Sequence, residues 1–127
     1  MLVSTGTQTS RTLTAAEGLA ADGLAADGLD VGVVHVPVIT PLDSDGLMET
    51  IGRRRLVITV EEHTINGGLG GAVAEVLAER GGPRLRRIGI QDTYGESGPN
   101  DDLLERHGLS SARVADRVRS WAAELNR

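Results

Sequence analysis

A chain of 127 residues with 13 basic and 18 acidic side chains, net charge −5, suits one domain, residues 1–127, built around its own core. The acidic balance argues against a nucleic-acid partner, and one Trp, one Tyr and no Phe leave little to stack on bases. Cysteine is absent, which removes disulfides and thiolate metal sites; all 13 basic residues are arginine, which removes Schiff-base chemistry and a P-loop lysine.

No run approaches ~18 uninterrupted apolar residues, and no basic-then-apolar leader opens the chain. The expectation is a soluble, unprocessed, cytoplasmic protein with no membrane partner.

In chain order, Leu2-Val3-Ser4-Thr5 reads as a short strand ended by Gly6. Gln8 to about Ala21 reads as a helix, with Thr7 as N-cap and Leu13, Ala16 and Ala20 on one face. Gly18-Leu-Ala-Ala-Asp22 is then repeated as Gly23-Leu-Ala-Ala-Asp27, followed by Gly28-Leu29-Asp30. A five-residue step turns a helix by about 140°, so Leu19 and Leu24 cannot share one helical face. The repeat reads as a slipped duplication that lengthens the helix end or its exit loop.

Val31 to Val36 is a strand rich in β-branched residues. Pro37 and Pro41 bracket an extended connection. Asp43 or Ser44 caps a short helix through Leu47, Met48 and Ile51, ended by Gly52. Leu56 to Val60 is an apolar strand of the kind buried on both faces of a parallel sheet. Gly70 to Arg80 is a helix with Leu69, Val73, Val76 and Leu77 as its buried stripe, stopped by Gly81-Gly82-Pro83.

Leu85 to Ile90 is a fourth strand, Asp92 to Asp101 a loop, and Asp101 to His107 a short helix closed by Gly108. Ser111 to Leu125 is the clearest helix, with Val114, Val118, Trp121, Ala122 and Leu125 at i, i+4, i+7, i+8 and i+11. The alternation of strands and helices predicts an α/β fold with a parallel sheet between helices. The clusters Arg53-Arg54-Arg55 and Arg84, Arg86, Arg87 read as solvated strand entries, with a phosphate or partner contact as the other reading.

Chemistry concentrates in Val60-Glu61-Glu62-His63 and the glycines at 67, 68, 70 and 71. The glycines fit neither a dinucleotide fingerprint nor a P-loop. They place a helix N-terminus, with its free N–H groups and positive dipole end, after a strand. An anion is one occupant; close helix–sheet packing is the plainer reading. Glu61, Glu62 and His63 fall where the third strand should end, and a carboxylate beside a histidine can move protons. A loop-organising cluster is the competing reading. His35, His63 and His107 lack metal-ligand spacing, and Gly95-Glu96-Ser97-Gly98 is not a nucleophile elbow.

Six segments, in order, resemble the C-terminal domain of the thiamine-diphosphate-dependent transketolase family, and the C-terminal subunit of two-subunit bacterial transketolases. They are Leu2–Gly6, Val36–Asp43 ending in Pro-Leu-Asp, Val60–His63 with Gly67–Gly70, Ala72–Leu77, Arg87–Asp92 with Tyr94–Gly98, and Leu103–Glu105 with Gly108-Leu109. Tyr94 and His107 replace the family's usual phenylalanine and tyrosine, and the extra Gly-Leu-Ala-Ala-Asp copy has no counterpart.

The resemblance implies a three-layer α/β/α sandwich with about four parallel strands in order 2-1-3-4. The family's antiparallel edge strand would come before the first of these and is not reached. Gly6 and Glu61 would flank the strand-order switch. It also implies that thiamine diphosphate and Mg²⁺ belong to the complete enzyme and are held by other domains, so this chain supplies no catalytic, cofactor or metal residue.

The expected role is assembly with a catalytic transketolase subunit, as a homo- or hetero-oligomer, with regulation as a further role. The site expected for an anion or an interface comprises Thr7, Glu62, His63, Gly67 and Gly68. A stand-alone small-ligand or anion-binding regulator of the same fold is the second expectation, and a fragment of a longer chain the third.

Overall fold

A computed structural model describes residues 1–127 apart from Asp92, Tyr94 and Glu96 and the side chain of Ala26. Its strands are β1 (Leu2–Ser4), β2 (Val33–His35), β3 (Leu56–Thr64) and β4 (Arg84–Ile90). They form one parallel sheet in the order β2-β1-β3-β4, as the resemblance implies. The helices are α1 (Gln8–Ala21), α2 (Ser44–Ile51), α3 (Leu69–Arg80), α4 (Asn100–His107) and α5 (Ser111–Leu125), with a 3-10 turn at Leu24–Asp27. None of the described helices is long and apolar enough to cross a membrane.

Strand alternation divides the apolar side chains between two cores. Leu2, Leu56, Ile58, Val60 and Ile88 pack with α1, α4 and α5, whereas Val3 and Val57 pack with α2 and α3. Right-handed crossovers account for this division. The chain leaves β1 toward β2 and leaves β3 toward β4, in opposite directions, so α1 and α3 land on opposite faces. The direction reverses between β1 and β3, and the carboxyl ends of these strands are where open parallel sheets place their sites.

Local chemistry sets the helix boundaries. Asp43 accepts from the Gly46 N–H at 3.0 Å at the start of α2, and Ser110 accepts from the Arg113 N–H at 3.3 Å at the start of α5. Gly81 ends α3 with φ +69°. The α5 boundaries and the α3 stripe Leu69, Val73, Val76 and Leu77 match the sequence expectation.

Two expectations are corrected, the inward face of α1 and the end of the third strand. The buried face of α1 is Gln8, Thr12, Ala15, Ala16 and Leu19; Leu13 is 46% exposed. This face also runs i, i+4, i+7, i+8, i+11, but polar Gln8 and Thr12 hide it from a hydrophobicity pattern.

Leu19 and Leu24 both enter the first core. The helix stops at Ala21 and Gly23 takes φ +85°, so the 3-10 turn re-aims Leu24 inward without continuing the helix.

The third strand does not end at Val60: β3 continues through Glu61, Glu62 and His63 to Thr64. Val60 pairs with Ile88 and Thr64 with Ile90, so residues 61–63 bulge opposite Gly89 alone. A Cβ on Gly89 would lie 2.8 Å from Ile65 Cγ2 and 2.9 Å from the His63 carbonyl oxygen, which leaves room only for glycine.

Candidate functional site

The bulge sets the geometry of the carboxyl end. Glu61 continues the face of Val57 and Thr59, toward α3. Glu62 is directed to the α1 face. Each carboxylate therefore meets a helix on its own side of the sheet.

On the α1 side, the Thr7 hydroxyl donates to Glu62 Oε2 at 3.0 Å, and Arg11 Nη1 donates to the same oxygen at 2.9 Å. Arg11 also donates to Gln8 Oε1 at 3.0 Å. Gln8, fully buried, donates in turn to the Leu109 carbonyl at 2.7 Å. This chain of contacts ties β3, α1 and the α4–α5 joint together. Thr7 stands at the N-cap of α1 but makes no cap bond; its hydroxyl is given to Glu62 instead.

On the α3 side, Glu61 is 1% exposed and its Oε2 accepts from the Gly70 N–H at 2.6 Å. A carboxylate at a helix N-terminus satisfies an orphan donor and faces the positive end of the dipole. Glu61 Oε1 is buried without a hydrogen bond among the described groups and lies 3.6 Å from His63 Nδ1. That nitrogen lies 2.7 Å from the Thr64 carbonyl oxygen, which can only accept, so Nδ1 carries the proton.

The glycines make this approach sterically feasible. A Cβ on Gly68 would stand 2.0 Å from Glu61 Oε1, and one on Gly70 2.8 Å from Arg87 Cδ and 3.0 Å from Thr59 Oγ1. Gly67 takes φ +76°, a turn geometry that favours glycine.

A third polar line continues along β1 and β2. Ser4 donates to Thr9 Oγ1 at 3.0 Å, and Thr9 Oγ1 lies 2.8 Å from His35 Nδ1.

The structure thus joins Thr7 to Glu62, and places His63 and Gly68 around Glu61. The α3 N-terminus already holds the Glu61 carboxylate, Glu62 is bonded beside the first turn of α1, and an incoming anion would meet both negative charges. Close packing at a tight turn, the plainer reading of the glycines, is what the contacts of Gly68 and Gly70 show.

The sequence reading left Gln8 and Arg11 out of the site and did not place Glu61 on the helix end. The available signal was spacing: Gln8 and Arg11 lie in the first turn of a helix whose entry residue is Thr7. Two arginines of β4 have local roles. Arg86 pairs with Glu124 at 3.0 Å and lies 5.7 Å from the Trp121 ring centroid, and Arg87 donates to the Ile65 carbonyl at 2.9 Å. The matched segment at Asp92, Tyr94 and Glu96 lies outside the described residues.

A parallel α/β/α sandwich with Glu61 on the N-terminus of α3 and Glu62 on side chains at the start of α1, both at its switch point, is the class that these features define. Residues 1–114 match the model of the transketolase C-terminal domain, and the chain belongs to that family.

A putative transketolase C-terminal section from Methanocaldococcus jannaschii is 39% identical over 118 residues, covering 92% of this chain and 35% of that protein. One of the subunits of an apulose-4-phosphate transketolase from Actinobacillus succinogenes is 44% identical over 89 residues, 68% of this chain and 29% of that polypeptide. A solved structure described as a split gene transketolase, inactive beta4 tetramer, has a TM-score of 0.80 at 37% identity, covering 94% of this chain and 37% of that one. The chain spans 35% or less of the length of these two curated relatives.

Proposed function

We propose that this chain is a non-catalytic C-terminal domain of a thiamine-diphosphate-dependent transketolase, serving assembly with a catalytic subunit that carries the cofactor-binding domains. Residues 1–127 act as one domain in this reading. A cytoplasmic location is consistent with the cysteine-free composition.

The observation that carries the reading is the Glu61 carboxylate on the α3 N-terminus, 2.6 Å from the Gly70 nitrogen. A diphosphate group needs free backbone donors or cations at such a place. Here the chain's own carboxylate takes the donor, and Glu62 uses Arg11 and Thr7. Thiamine diphosphate therefore does not fit the residues at this end of the sheet. The same groups suit a docking surface. The buried Glu61 fixes the loop backbone, while Glu62 and His63 stay exposed on it beside Thr7 and Gly67. The relatives named as a transketolase C-terminal section and a transketolase subunit support a division of labour between chains.

Calorimetry of the full chain with Mg²⁺ and thiamine diphosphate tests this. The expected result is no saturable heat. Stoichiometric, tight binding by this chain alone would overturn the reading.

A further inference from the structure

At the opposite, amino-terminal end of the sheet lies a cavity of about 430 Å³, within the roughly 300–1,000 Å³ of small-molecule sites. Its floor is apolar: Leu56 and Ile58 of β3, Val118 and Ala122 of α5, all buried. One wall is the second Gly-Leu-Ala-Ala-Asp copy and its continuation, through Leu24, Gly28 and Leu29.

The mouth is cationic. Arg53, Arg54 and Arg55 stand there against one carboxylate, Asp30. Arg54 is already engaged, 3.5 Å from Asp30 and 3.1 Å from the Thr50 carbonyl oxygen at the end of α2. Arg55 makes only long bonds, 3.4 Å to the Leu125 carbonyl and 3.3 Å to Asn126 Oδ1. Arg53 is exposed and makes no ion pair among the described residues.

A guanidinium with free donors recognises a carboxylate or phosphate through paired hydrogen bonds. An apolar floor recognises hydrocarbon, each buried methylene strengthening binding about threefold to fourfold. We propose that this cavity binds a small amphipathic anion, an alkyl carboxylate or alkyl phosphate. Its chain rests on Leu56, Ile58 and Val118, and its head lies at Arg53 and Arg55. Leu24 and Leu29 close over the chain from the side. This site is separate from the carboxyl-end surface and does not depend on the assembly reading.

The test titrates the full chain with octanoate and, separately, with octyl phosphate below its micelle concentration, read by calorimetry and thermal melting. Octanol supplies the body without the charge, and inorganic phosphate the charge without the body. The expected result is saturable binding of one equivalent and a raised Tm with either amphiphile, at concentrations where octanol and phosphate give neither. Binding of one amphiphile and not the other also supports the site and fixes its head group.

Shortening octanoate to hexanoate weakens binding about tenfold. Arg53→Ala weakens it about fivefold to tenfold and leaves the Tm of the free chain unchanged, and Asp30→Asn tightens it. Absence of binding by both amphiphiles, or affinities indifferent to Arg53→Ala, would overturn the proposal.

Discussion

Glu61 and Glu62 are neighbours in sequence with different energetic roles. Glu61 is 1% exposed and bonded to a buried N–H, so losing its carboxylate leaves that donor unsatisfied and opens a void. Glu61→Ala is expected to cost about 2 kcal/mol in denaturant unfolding. Glu62 is an exposed partner of Arg11, and such pairs contribute little, so Glu62→Ala is expected to cost less than about 1 kcal/mol. Equal costs for the two would contradict the geometry.

Gly68 probes the same contact from the other side. A Cβ there meets Glu61 Oε1, so Gly68→Ala is expected to destabilise by roughly 1–3 kcal/mol. Its backbone, at φ −109°, suits any residue, so the effect is steric. In a Glu61→Ala background the tighter of its two clashes is relieved, leaving the 2.9 Å approach to His63 Nδ1, and the double substitution should cost less than the sum of the two. The residue types of this cluster were legible in the sequence. Their directions were not, because acids after an apolar run look like a strand end, and a bulge has no sequence period.

Among the elements, α5 and α3 were legible because their buried stripes are apolar and their ends are marked by Ser110, Gly81 and the glycines before Leu69. The inward face of α1 was not, because Gln8 and Thr12 occupy it and find partners there: Gln8 bonds the Leu109 carbonyl, and the Thr12 hydroxyl donates to the Gln8 carbonyl at 2.9 Å. Leu24→Ala is expected to cost about 2–4 kcal/mol, as a buried leucine does, while Leu13→Ala stays within about 0.5 kcal/mol. Thermal or urea unfolding of the pair distinguishes the observed α1 and 3-10 turn from the face drawn by hydrophobicity alone.

The joint between α4 and α5 carries a pH dependence. Glu105 accepts from the Ser110 hydroxyl and from Arg113, both at 2.5 Å. First the hydroxyl and then the arginine hold its carboxyl below the usual value. A carboxyl with a lowered folded pKa adds stability that is present above the unfolded value, ~4.3, and is lost as pH falls through the lower folded one. Glu105→Gln should therefore flatten the acid limb of a stability–pH curve below about pH 5. An unchanged limb would assign the acid sensitivity to other carboxylates.

Across the whole molecule, the two ends of the sheet differ. The carboxyl end, where open parallel sheets place their ligands, is occupied by the chain's own carboxylates and organises a surface. The amino end has an apolar cavity under an arginine rim. The order β2-β1-β3-β4 could be inferred only from the family resemblance, since alternating elements fix the class of sheet but not which strand returns beside which. The cavity was not legible at all, because it depends on Gly23 redirecting a repeat whose sequence left open whether it lengthens the helix end or its exit loop.

In the assembly reading proposed above, this polypeptide has no reaction centre of its own. The most direct measurement is two-carbon ketol transfer between sugar phosphates by the purified chain, supplied with Mg²⁺ and thiamine diphosphate. The expected rate equals the protein-free blank, with turnover appearing only when a catalytic transketolase subunit is added. Turnover by the chain alone, abolished by a substitution within it, would contradict the account.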